Sequence, residues 1–315
     1  MRAGDVRIGL SGWLYIGWRG TFYPKGLPHR RELSYVGETF RTVEINGTFY
    51  STQAPESFAR WKEAVPSEFL FAVKCPRFIT HMKRLRNVET PLANFFASGV
   101  LRLGEKMGPL LWQFPPNFIY RREISEPFLE MLPRSTREAA KLSRKHDERI
   151  RKGTWTKADT DQPIRYAVEI RHESFANEDF IALLRKHNIA LVCADTVDWP
   201  LLMDVTADFV YCRLHGSREL YKSNYSSDEL QRWAKRAAAW AHGKESPDGR
   251  HVSKKPPRKR ARRDVFIYFD NTDKVMAPGN ALELEQRLDK MLMLSMGADP
   301  TSRARDSSQA RFGDT

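Results

Sequence analysis

The 315-residue sequence predicts one (β/α)8 barrel of the TIM type. Three observations lead there: eight short β-rich runs, helix-length patterns between most of them, and no glycine-rich nucleotide turn after the first run. Strands alternating with helices indicate parallel βα units. The rival fold, a doubly wound open sheet, usually carries Gly-x-Gly-x-x-Gly where its first strand meets its first helix. Here the first run enters Ser11-Gly-Trp-Leu-Tyr-Ile-Gly-Trp-Arg-Gly-Thr-Phe-Tyr-Pro24, an aromatic loop without that fingerprint.

The predicted strands are 6–10, 42–45, 70–74, 109–113, 164–170, 190–194, 209–214 and 265–269. Helical periodicity is clearest over 56–64, 178–187, 227–242 and 281–296. Another helix starts at Ser135, which with Glu138 has capping-box spacing. The link 195–208 is short and rich in Pro and Asp, so the barrel should be irregular between strands six and seven. A single domain is expected over 1–297, with a helical insert at 134–158 and a basic insert at 243–263. The basic insert and the tail 298–315 have the composition of disordered segments. Removing the insert is therefore expected to leave the fold intact.

Hydrophobic residues make up 41% and aromatics 11%, enough to fill a large core. No apolar run approaches the ~18 residues of a membrane span. The start shows no signal peptide. Cys75, Cys193 and Cys212 lie far apart and form no Cys-x-x-Cys pair. These features predict a cytoplasmic protein without a membrane partner. The net charge of +13 suggests a polyanion partner, but it is localised. Residues 250–263 hold eight basic and no acidic side chains, and 134–152 hold eight basic and three acidic, so the remainder is neutral.

Barrel enzymes build their sites at the carboxyl ends of the strands. Those ends read Ser11-Gly-Trp13, Glu44-Ile-Asn46, Lys74, Gln113, Glu169-Ile-Arg171, Asp195, Arg213-Leu-His215 and Asp270-Asn271. Alternation puts Glu44 with Asn46, Glu169 with Arg171, and Arg213 with His215 on common faces. The catalytic candidates are Glu44, Glu169 and His215, as acid/base groups. The substrate-binding candidates are Trp13, Asn46, Tyr50, Lys74, Gln113, Arg171, Arg213 and Asn271. Glu44 and Glu169 neutralise two of the three cations, which leaves about one positive charge for a phosphate or carboxylate.

A divalent metal on Glu44, Glu169, Asp195 and His215 is disfavoured, because Lys74, Arg171 and Arg213 would repel it. His81 and His172, just past strand ends, are the other histidines with ligand potential. No metal ligands are assigned and no cofactor is indicated. Lys74 as a Schiff-base nucleophile needs a depressed pKa, and neighbouring carboxylates should raise it. The aromatics Trp13, Tyr15, Trp18, Phe22, Tyr23, Phe49 and Tyr50 either cap the barrel or stack on a base or sugar.

Several segments carry a resemblance. Gly12-Trp13…Trp18-x-Gly20-x-Phe-Tyr-Pro24, Val43-Glu-Ile-Asn-Gly-Thr-Phe-Tyr50 and Val73-Lys-Cys-Pro-Arg-Phe-Ile-Thr-His81 resemble the YecE-like family, domain of unknown function 72. So do Gly108-Pro-Leu-Leu-Trp-Gln-Phe-Pro-Pro116, Val168-Glu-Ile-Arg-His172, Arg213-Leu-His-Gly216 and Tyr268-Phe-Asp-Asn271. The resemblance, from about residue 7 to 296, implies a TIM-barrel-like fold. It implies no reaction, only a fold-level likeness to the endonuclease IV group. Asp270 stands where asparagine is common in the family, which favours Asn271 over it.

Two functional expectations follow. One is an enzyme acting on a small phosphorylated or carboxylated substrate in the barrel mouth, by hydrolysis or acid/base chemistry. The other is a nucleic-acid-binding protein or metal-dependent endonuclease-like barrel, with Lys254–Arg263 tracking phosphates while aromatics grip a base. A non-catalytic barrel, its charges forming a structural plug, is the third reading.

Overall fold

The computed structural model describes residues 3–216, 224–246, 248–271 and 275–295. The expected tail 298–315 lies outside the described residues.

Eight parallel strands close into a barrel in sequence order. They are β1 (Val6–Ser11), β2 (Thr42–Ile45), β3 (Leu70–Lys74), β4 (Met107–Gln113), β5 (Tyr166–Glu169), β6 (Ala190–Asp195), β7 (Phe209–Leu214) and β8 (Asp264–Phe269). β1 and β8 pair from Val6↔Val265 to Leu10↔Phe269 and complete the ring. Around it run α1 (Glu32–Thr39), the single turn α2 (Gly47–Tyr50), α3 (Pro55–Glu63), α4 (Glu89–Ala97), α5 (Arg122–Met131) and α6 (Thr136–Ser143). α7 (Glu178–His187), α8 (Ser227–Ala241) and α9 (Ala277–Ser295) follow.

Local chemistry fixes the helix ends. Ser135 accepts from the Glu138 amide to start α6, and Ser226 with Glu229 forms a complete capping box on α8. α7 has Asn177 as its N-cap, two acids in its first turn, three basic residues in its last and Asn188 at φ 52° as its C-cap.

Alternation sorts the side chains. Ala72, Leu111, Ala167, Ala190, Val192 and Ala194 face the barrel interior and meet Phe209, Tyr211, Phe266 and Tyr268. Small residues from β3–β6 thus make room for four aromatics from β7 and β8. Gly9 faces the same interior, where a Cβ would lie 2.2 Å from the Thr42 carbonyl oxygen. A larger residue there would push β1 from β2. The opposite strand faces pack on the helices in the larger outer core.

No helix joins β6 to β7, as the link composition predicts. The basic insert also has no helix or strand, but it is not loose. The Met203 amide donates to the Arg250 carbonyl, and the Val252 and Ser253 amides donate to buried Asp204 at 2.8 and 2.9 Å. Arg185 of α7 clamps the other side through Val205 O, Ser253 Oγ and Lys255 O. The insert lies where a helix between β6 and β7 would pack, and with the link it covers Leu202 and Met203. Residues 250–255, expected as part of a disordered loop, are thus hydrogen-bonded to the barrel through their backbone. Its basic end lies at the amino-terminal face, where Arg260–Arg263 line a cavity with residues 3–5, Arg165 and Asp208.

Candidate functional site at the barrel mouth

The inward positions nearest the carboxyl ends are Ser11, Glu44, Lys74, Gln113, Glu169, Arg213 and Asp270, all buried. Their strands bring seven polar groups to one layer because each is an even number of residues from an interior neighbour.

Arg213 is the hub. Its Nε donates to Glu44 Oε2 at 3.1 Å, Nη1 to Glu169 Oε2 at 2.6 Å, and Nη2 to Glu44 Oε1 at 2.9 Å and Asp270 Oδ2 at 3.1 Å. Ser11 Oγ lies 3.2 Å from Nη2, and His215 Nε2 lies 3.3 Å from Nη1. All three guanidinium nitrogens are thus engaged, and Arg213 presents its charge to carboxylates of the protein itself. Glu44 also accepts from Ser11 at 2.7 Å and from Tyr211 at 2.6 Å, and Asn46 Nδ2 donates to Ser11 at 2.9 Å. Glu169 Oε1 accepts from Arg171 Nε at 2.8 Å. Burial alone would raise the Glu169 pKa, but Arg213 and then Arg171 hold it well below the usual carboxylate range. Arg171 stacks on Trp199, its guanidinium carbon 3.6 Å from the ring centre, and Trp199 meets His215 edge-on. His215 Nδ1 lies 3.3 Å from Asp270 Oδ2.

Lys74 stands apart. Its Nζ lies 4.1 Å from the ring centre of Phe49. Among the described residues it has no hydrogen bond or ion pair to a carboxylate. Burial first, then Arg213, lower its pKa to about 7 against the pull of Glu44, Glu169 and Asp270. Burial, and then the charges of Arg171, Arg77 and Lys74, lower the His81 pKa to about 4, and its ring meets Phe49 edge-on.

Two expectations are corrected by alternation. Asp195 follows inward Ala194, so it faces outward and accepts from Trp233 Nε1 on α8 at 3.1 Å. It shares no site with Glu44 or Glu169, and the Arg213 guanidinium occupies the place between those carboxylates where a cation would sit. Asn271 follows inward Asp270, and its Nδ2 donates to Asn280 of α9 at 2.9 Å. Asp270 belongs in the mouth layer instead. It adds a third carboxylate, so three acids face Lys74, Arg171 and Arg213 and no cation is left over. Period-two spacing from Tyr268 carried that signal; the same rule finds Tyr211, two before Arg213.

Gln113 Oε1 and Asn46 Oδ1 are buried acceptors with no protein donor among the described residues. Trp13 is buried edge-on against Trp61, and Trp18, Phe22, Tyr23 and Tyr35 pack together beneath the first loop. These aromatics pack against one another and against α1 and α3. Tyr50 is 69% exposed at the rim. Every exposed large hydrophobic among the described residues lies beyond a strand carboxyl end, from Ile16 through Met82, Ile119 and Val197 to Met276. His172 Nδ1 accepts from the Ser174 amide and is committed to its own loop.

Among the described residues, the group of three acidic or imidazole side chains close enough to share an ion is Glu126, Glu130 and His187, on the outer helices. Lys186 already bridges its two carboxylates.

Residues 7–303 match the family model described as protein of unknown function DUF72. The chain belongs to the DUF72 family. The UPF0759 protein YecE of Escherichia coli K12 is 29% identical over 140 residues, covering 39% of this chain and 49% of YecE. The UPF0759 protein YunF of Bacillus subtilis is 27% identical over 123 residues, covering 38% of this chain and 43% of YunF. The matches thus span about half the length of these curated relatives. A DUF72 family crystal structure from Thermotoga maritima superposes with TM-score 0.67 at 26% identity, over 90% of this chain and 99% of that one. One from Enterococcus faecalis superposes with TM-score 0.63 at 19% identity, over 90% and 95%, which shows the shared fold. No described helix of this DUF72 chain is long and apolar enough to cross a membrane.

Proposed function

We propose that the chain is an enzyme whose active site is the barrel mouth, acting by acid/base chemistry on a small substrate bearing a phosphate or carboxylate. The observation that carries this is the buried cluster of Glu44, Glu169 and Asp270 on Arg213 at the strand ends, with Lys74 over the face of Phe49 and His81 edge-on to the same ring. Arg213 cannot serve as the anion ligand, because its donors face Glu44, Glu169 and Asp270. It positions the carboxylates, and the anion falls to Arg77 and Arg171. Glu169, shared between two guanidiniums, is a weak base, so proton transfer falls to His215, which touches both Glu169 and Asp270. Gln113 and Asn46 offer acceptors to substrate hydroxyl or N–H groups. Trp13 and Tyr50 form part of the rim.

Calorimetric titration with inorganic phosphate and a nucleoside monophosphate, in chelator and again with magnesium or zinc, tests the reading. Binding in chelator, weakened about tenfold by Arg77→Gln as one charge-assisted contact is lost, is expected. Binding that needs the metal would move the site to a metal-dependent hydrolase, and no binding in either buffer sinks the anion reading.

The nucleic-acid reading has less support. Arg260–Arg263 lie with the amino-terminal strand ends, whereas the aromatic loops lie at the carboxyl ends. With strands rising ~3.3 Å per residue, a barrel length separates Arg260–Arg263 from those loops.

A further inference from the structure

We propose that Lys74 is a nucleophilic amine that forms a Schiff base with an aldehyde or ketone bound in the barrel mouth, which makes the substrate class a small carbonyl compound. This rests on the mouth being an active site and adds the reacting group to it.

Among the described residues Lys74 lacks a carboxylate partner. A buried ammonium normally pairs with a carboxylate, since leaving it unpaired is costly. Three carboxylates belong to the same layer, yet Glu44 and Asp270 are taken by Arg213, and Glu169 by Arg213 and Arg171. Carboxylates beside Lys74 were the reason to expect a fully protonated amine. Their commitment to guanidiniums leaves their pull outweighed by burial and by the Arg213 charge. The Lys74 head group instead sits over the face of Phe49, at the carboxyl end of β3 where the loops converge. A lysine in an apolar slot beside another cation has the environment that keeps an amine nucleophilic near neutral pH.

The charge count also favours the product. With Lys74 neutral, Glu44, Glu169 and Asp270 face two guanidiniums, so the layer lacks one positive charge. In the reaction the amine lone pair attacks the carbonyl carbon, and the C–N bond forms as the C=O π pair moves to oxygen. Both amine protons and that oxygen leave as one water, giving an imine. Protonation of the imine nitrogen supplies the missing charge, which stabilises the iminium over the neutral adduct. Arg171, held by Glu169 of the same layer, supplies a cation for a carboxylate or phosphate on the carbonyl compound, and His81 lies edge-on to the Phe49 ring that Lys74 covers.

The test uses the full chain with glyoxylate as probe and cyanoborohydride to trap the imine, followed by peptide mapping for carboxymethyl-lysine. At pH 7 an amine with a pKa of about 7 is roughly half neutral. An ordinary solvated alkylamine is neutral to about one part in 10³ at that pH. Labelling at Lys74 should therefore exceed that at Lys25 by two to three orders of magnitude, and the ratio should fall about tenfold per pH unit above 8. Equal labelling of the two residues at pH 7, or a pH-independent ratio, overturns the proposal without any variant having to fold. Calorimetry with phosphate separates the two readings. Anion binding without Lys74 labelling leaves the anion site and removes the nucleophile; labelling without anion binding keeps the nucleophile and removes the anion site.

Discussion

Arg213 is buried among Glu44, Glu169 and Asp270, and each carboxylate depends on it for neutralisation. Lysine in its place keeps the charge but loses the planar fork that reaches all three. Arg213→Lys should destabilise the protein by about 3 kcal/mol, the low end of what breaking a buried pair costs, measured by urea unfolding. Glu169 supplies a pH signature. Its folded pKa lies below the ordinary 4.5, so its contribution is present above that pH and lost as pH falls through the folded value. Arg213→Lys should therefore flatten the acid limb of the stability curve. Asp195 behaves oppositely. Burial raises its pKa despite hydrogen bonds from Trp233 and Tyr225, so stability falls as pH rises from 3.8 through the folded value. Asp195→Asn retains an acceptor for Trp233, and its melting temperature at pH 7 should equal or exceed the parent's. A clear drop would mean the charge itself is needed.

At the scale of elements, the barrel lacks a helix between β6 and β7 and uses the insert 243–263 in its place. Asp204 holds two insert amides, and a Cβ on Gly249 would lie 2.4 Å from the Met203 sulfur, so the contact is close. Deleting 244–262 would uncover Leu202 and Met203, each worth ~1.5–3 kcal/mol of burial, and leave Asp204 without its donors. A melting temperature several degrees lower is expected, and an unchanged one would show that the insert is only a surface loop. Arg185→Ala is the milder version. It should speed amide hydrogen exchange over 250–256 and leave β1–β5 protected.

For the molecule as a whole, the basic end of the insert and the buried charge cluster of the mouth lie at opposite ends of the barrel. Arg258, Lys259 and Arg262 are exposed on the insert. Changing all three to Gln should lower the salt needed to elute the protein from heparin, yet leave phosphate affinity at the mouth unchanged. A parallel loss of both would place the two surfaces together and revive the tracking model. The paired charges of the mouth layer are ringed by the exposed apolar residues of the loops beyond the strand ends.

Period-two alternation and the apolar runs determined the strands, the barrel and the ring of polar ends, because strand pattern is local and each strand must bury a face. β2, β3, β7 and α7 fall where their residues alone place them. Which polar ends face inward was also legible in principle, as Asp195 and Asp270 show. What only the tertiary structure decided is who pairs with whom. Arg213 draws Glu44 from β2, Glu169 from β5 and Asp270 from beyond β8, leaving Lys74 without a carboxylate of its own. The insert fills a gap opened about 50 residues earlier in the chain. Pairing depends on distances across a closed barrel, and a linear sequence carries no measure of those distances until the ring is shut.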